Sequence, residues 1–149
     1  MITAREAAKY LLTLDNSGDG DFMSNLKLQK LLYYAQGVHL ALHGTPLFPD
    51  PIEAWDHGPV CPEVYRAYKQ FGGNALPPPP GFKPMSLPQR ARNVLNEVHR
   101  VFGQFAAWRL REMTHSEPPW KATFREGKRN VRIPTSVLKS YFDTVVTRG

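Results

Sequence analysis

The chain has 149 residues, 42% of them hydrophobic, and a single cysteine, Cys61. That length and composition fit one folded domain spanning residues 1–149 and exclude a disordered chain, an internal disulfide and a cysteine-built metal site; no apolar run approaches the roughly 18 residues of a membrane span. The net charge of +6 is lopsided, with 6 Lys/Arg against 8 Asp/Glu in residues 1–75 and 13 against 5 in residues 76–149, which points to an acidic partner or to solubility alone.

Thr3 and Glu6 have capping-box spacing, and Ala4, Ala7, Ala8, Leu11 and Leu14 follow at helical period. A first helix near residues 3–14 is expected. The acid at Glu6 and the lack of a signal-peptide core make a cytoplasmic protein the expectation. Asp15 to Asp21 reads as a polar loop. It lacks the twelfth-position Glu of a calcium loop, where Leu26 stands.

Ser24 or Asn25 caps a second helix near residues 25–43, and Gly44 stops it. Leu28, Leu31, Leu32, Ala35, Val38 and Leu42 supply its buried stripe. Beside the stripe run two polar rows, Lys27, Lys30, Tyr34 and Gln29, Tyr33, Gln36. They read either as a solvated face or as a surface of directed hydrogen-bonding groups for a partner. On the second reading, Tyr33→Ala and Lys30→Glu weaken partner binding at near wild-type stability.

Pro46, Pro49 and Pro51 forbid a helix and favour a small β element around residues 47–56. Pro62 opens a third helix that Gly72-Gly73 end. The six prolines of residues 73–88 form a stiff connector inside the domain. Ser86 and Gln89 again have capping-box spacing before a fourth helix near residues 88–103. A shorter helix with Trp108, Leu110 and Met113 follows. Ser116 can cap a helix started by Pro118, with Glu117 favoured by the helix dipole and Trp120 pinning the corner. Pro134-Thr135 precedes a last helix. The fold class is therefore mainly α, with five to six helices and one small β element.

No catalytic set emerges. His39 and His43 have zinc-helix spacing, yet Leu40, Ala41 and Leu42 between them leave out the protease Glu, and no metal or other cofactor is expected. Cys61 sits before a helix N-terminus without an identifiable base, so a packing role is favoured. The exposed-loop run with Arg125, Lys128, Arg129 and Arg132 is the main nucleic-acid candidate, with salt-dependent phosphate binding as its consequence.

Three strings carry a resemblance. They are Leu28-Gln29-Lys30-Leu31-Leu32-Tyr33-Tyr34-Ala35-Gln36, then Glu53-Ala54-Trp55-Asp56-His57-Gly58-Pro59-Val60 with Val64-Tyr65, then Thr114-His115-Ser116-Glu117-Pro118-Pro119-Trp120. In this order they resemble the Panacea-domain family of phage-associated, GepA-like proteins. The resemblance implies a non-enzymatic antitoxin of a type II toxin–antitoxin system. Its partner would be a toxin, alarmone-synthetase-like toxins included, neutralised by direct protein contact. Self-assembly and a mixed complex with the toxin both remain open.

The family's characteristic residues here are Leu28, Gln29, Lys30, Leu31, Tyr33, Trp55, Gly58, Pro59, Val60, Tyr65, His115, Glu117 and Trp120. Lys27, Gln29, Lys30, Tyr33, Gln36 and His115 are taken as toxin-contact candidates, and the others as structural. Cys61 stands where an aliphatic residue is expected. Two other readings compete: a proteolytic adaptor delivering a client toxin to an ATP-dependent protease, and a nucleic-acid-binding regulator.

Overall fold

The computed structural model describes residues 1–15 and 22–146. The polar loop after Asp15 therefore lies, but for Asp15 itself, outside the described residues. Seven α-helices are present among those described: α1 Ala4–Leu14, α2 Asn25–His43, α3 Pro62–Tyr68, α4 Gln89–Phe102, α5 Ala107–His115, α6 Pro118–Thr123 and α7 Thr135–Val145. Two short strands, β1 Glu53–Trp55 and β2 Gly58–Val60, form an antiparallel hairpin. The mainly helical class is as expected, and each of the seven helices corresponds to a segment marked in the sequence, one more than the five to six counted there. None of the described helices is long and apolar enough to cross a membrane.

The capping signals divide. Thr3 and Glu6 make the full box, with the Thr3 side chain accepting from the Glu6 N–H and the Glu6 carboxylate accepting from the Thr3 N–H. Ser24 caps α2, and Gly44 ends it at φ 75°, a left-handed conformation that costs glycine least. The box expected at Ser86 and Gln89 does not form. Pro88 is the N-cap of α4 instead, and Ser86 Oγ donates to Lys83 O within a 3-10 turn. Ser116 likewise does not cap α6; its hydroxyl donates back to Met113 O, and Glu117 takes the N-cap position without capping through its side chain.

Helix α2 is the hub. It packs against α1, α3, α4, α5, α7 and β2, and all but three of its residues are buried. Leu42, expected in its buried stripe, is instead exposed at the C-terminal end of the helix. Its most extensive packing is with α7. A Cβ added at Gly37 would fall 2.2 Å from the Phe142 ring, so the bare backbone of α2 is the surface on which Phe142 rests. Tyr34 stacks on Phe102 of α4, with ring centroids 3.9 Å apart, and Tyr33 meets Phe142 edge-on.

The hairpin gains a third rail from later in the chain. Ala54 N–H donates to Val131 O, and Ile133 N–H donates to Ile52 O. The basic residues 125–130 thus form an exposed loop whose C-terminal end is tied to the hairpin.

Candidate functional site

The polar rows of α2 face inward. Lys27, Gln29, Lys30, Tyr33 and Gln36 are between 0 and 3% exposed. They do not form a surface in this conformation, and the solvated-face reading fails with it. Burying such groups costs free energy unless each finds a partner, and among the described residues no buried side-chain nitrogen or oxygen lacks one.

The partners explain why these residue types occur at these positions. Gln29 Oε1 accepts from the Cys61 N–H at 2.8 Å, while its Nε2 donates to Asn25 Oδ1. Seven residues on, Gln36 Oε1 accepts from the Leu47 and Phe48 N–H groups and its Nε2 donates to Phe48 O. The two amides thus stand in for a neighbouring strand beside segments where helix is forbidden. Lys27 Nζ donates to Gly103 O at 2.7 Å, holding the end of α4.

Lys30 Nζ donates to Pro59 O at 3.2 Å. Burial first, and the nearby Arg111 charge second, pull its ammonium down to about 7. Gly58 makes room for this lysine. Its φ is 113°, and an added Cβ would lie 2.9 Å from Lys30 Cε and 3.0 Å from Thr114 Oγ1. Position 58 therefore needs glycine both for its backbone conformation and for space.

Glu117 closes the network from the other side. Its two carboxylate oxygens accept from Tyr33 and Tyr34, each at 2.8 Å, and Tyr141 is a third phenol donor. Burial raises the Glu117 carboxyl above its ordinary range, and the three hydroxyls draw it partly back. The same burial, followed by the adjacent carboxylate, pushes the Tyr33 and Tyr34 phenols up and holds Tyr141 at about 12. One side chain thereby ties α2, α7 and the start of α6.

His115 is the contact candidate that stays near the surface. Its Nδ1 lies 2.7 Å from Arg111 O and its Nε2 2.9 Å from Asp56 O, and its ring meets Trp120 edge-on. Trp120 Nε1 donates to Trp55 O at 2.7 Å. His115, Trp120 and Trp55 therefore lock the corner against the hairpin. Trp108 of α5 is 64% exposed.

The remaining candidates for chemistry are occupied. Cys61 is buried, and burial drives its thiol up to about 12, so it is a poor nucleophile at neutral pH. His39 donates from Nδ1 to Thr45 O and lies beside His43. Among the described residues no third potential ligand joins the two histidines. Arg125, Lys128, Arg129 and Arg132 are all exposed, and Arg129 lies 4.5 Å over the Trp55 ring.

The sequence reading missed the structural role of Asn25, Tyr141 and Thr114. It also missed His57 and Lys69, which share an open pocket with Trp55 and Arg129. Asp56 and Gly58, flanking His57 between two extended segments, are the turn-forming residues that mark the hairpin there.

The family described as Antitoxin SocA-like, Panacea domain, matches residues 28–121, which run from α2 into α6. Over 157 aligned positions the chain is 33% identical to Antitoxin SocA of Caulobacter vibrioides (strain NA1000 / CB15N), covering 95% of this chain and 82% of that relative. No solved structure matches the chain.

Proposed function

The chain belongs to the Panacea-domain family of SocA-like antitoxins, and from this membership we propose that it silences a toxin protein by binding it directly, as one half of a type II pair. The observation that carries this reading is the likeness to a named antitoxin along 95% of the chain. The side-chain chemistry supports it. The polar groups of α2 are committed to internal hydrogen bonds, and the buried thiol is held protonated. These features support association through an outer surface as the mode of action.

Co-expression in bacteria tests the reading. A toxin encoded beside this gene stops growth alone and is tolerated when this protein is present. A folded, expressed toxin that still kills in its presence overturns the proposal. Toxin abundance then distinguishes blocking from delivery to a protease: a blocked toxin persists, whereas a delivered one disappears.

The exposed arginines of residues 125–132 favour one second reading, in which the protein also contacts nucleic acid. Titration against duplex DNA at low and near-physiological salt checks it. Binding without sequence preference that vanishes at the higher salt is charge attraction alone.

A further inference from the structure

We infer that the open pocket between the hairpin, the start of α2, the end of α3 and the basic loop is a docking site for an acidic peptide segment bearing one apolar side chain, supplied by the protein partner. This deepens the reading above and rests on it only in taking the partner to be a protein.

The pocket has a volume of about 360 Å³. Its apolar part includes Val60, Trp55 and Tyr65, the two rings meeting edge-to-face with centroids 5.0 Å apart. Around it stand His57, Lys69 and Arg129, and no Asp or Glu lines the cavity. Glu53, beside it, is engaged by Trp55 Nε1 at 3.0 Å. The ion pairs among the described residues involve neither Lys69 nor Arg129.

Arg129 is held in place by the ring beneath it, 4.5 Å from its guanidinium carbon. A cation–π contact of this kind fixes the group at little entropic cost. Its N–H donors meet no acceptor among the described residues. The charge complement of this arrangement is a carboxylate, and the complement of the Trp55–Tyr65–Val60 floor is an aliphatic side chain. A peptide that places Asp or Glu next to such a residue satisfies both, with charge-assisted hydrogen bonds at the rim.

Nucleic acid fits less well. A nucleobase needs a bare aromatic face on which to stack. Here Arg129 takes up one face of the Trp55 ring and Tyr65 stands at 68° to it, so the apolar surface left in the pocket suits a compact side chain better than a flat base.

The test is selection of a displayed library of random short peptides on the full chain, followed by binding of the synthesised winners. Peptides with Asp or Glu beside a large apolar residue are expected. They should shift the indole N–H signal of Trp55 and the amides of Gly72 and Gly73 in nuclear magnetic resonance spectra. The double variant Lys69→Glu, Arg129→Glu should weaken them by roughly tenfold or more. Both side chains are exposed, and a wild-type far-ultraviolet spectrum and melting curve confirm that the variant is folded.

No enrichment, enrichment of basic or purely apolar peptides, equal binding by the double variant, or shifts confined elsewhere would each overturn the proposal. So would a short oligothymidylate that displaces the peptides and binds more tightly through the same signals. The co-expression assay separates the two levels. If wild type rescues growth and the double variant rescues it equally well, the pocket is sunk and the antitoxin reading stands. If wild type fails to rescue yet binds the selected peptides, the reverse holds.

Discussion

The α2 hub and the basic loop with its hairpin carry similar residue types and use them in opposite ways. In α2, lysines and tyrosines are buried and each polar tip is assigned an internal partner. At the hairpin and loop, Lys69 and Arg129 stand at the surface around aromatic rings, and the ion pairs among the described residues involve neither. The difference teaches that polar density on a helix says little about contact with a partner. What matters is whether the hydrogen-bonding capacity is already consumed. Consumed capacity specifies the fold, and unconsumed capacity is available for recognition.

Substitution of Tyr33 should break the contrast hardest. Tyr33→Ala removes a fully buried ring and one donor to Glu117, and is expected to cost about 3–5 kcal/mol in a denaturant melt. A near wild-type melt would return Tyr33 to the surface. Gln36→Ala comes next. It leaves the Leu47 N–H and Phe48 O without this partner, at about 1–3 kcal/mol for each buried group left unpaired, read as a lowered denaturant midpoint at unchanged slope.

Lys30 sharpens the comparison through pH. Its folded-state ammonium titrates at about 7, well below the roughly 10.4 of the unfolded chain. Below pH 7 both states hold the proton. Above it the folded state has released a proton that the unfolded state keeps, so stability rises with pH by up to about 1.4 kcal/mol per pH unit. His39, His43 and His99 are held below their usual range by burial, so their own contribution, which rises with pH in the same direction, is complete by about pH 7. Cys61, held up to about 12, opposes the rise from about pH 8.5, where unfolded thiols ionise. The window between roughly pH 7 and 8.5 therefore reports Lys30, and Lys30→Met should flatten the melting temperature across it. An unchanged slope in the variant would show that the lysine does not titrate there.

The smallest effect belongs to the outer region. Arg125→Ser and Lys128→Ser, both at exposed positions, should move stability by no more than about 0.5 kcal/mol. A larger loss would show that the loop belongs to the packed structure after all.

Much of the scaffold was legible in the residues. The Thr3–Glu6 box, Ser24, Gly44, Pro62 and Pro134-Thr135 place helix ends because their causes are local: a cap, a left-handed glycine, a fixed proline φ. The destination of the α2 polar rows was not legible. Their partners lie as far away as Glu117, 84 positions from Tyr33, and periodicity records only neighbours along one helix. One signal of burial is nevertheless present in the sequence. Leu28, Leu31, Leu32, Ala35, Val38, Leu40 and Ala41 spread apolar groups around α2, as in a helix enclosed on all sides. Polar side chains on such a helix must be satisfied internally. The Ser86–Gln89 box failed for another local reason: Pro88 occupies the N-cap position between them.

The bare backbone at Gly37 has a temporal consequence. Phe142 fills the space that any other residue at position 37 would claim, so the hub stays unsealed until a residue more than a hundred positions downstream has been synthesised. During translation the tyrosines of α2 wait without that cover, and a product cut short before α7 leaves them open to water and to proteases. The cell thus obtains this protein in its closed form only when the message has been read through α7.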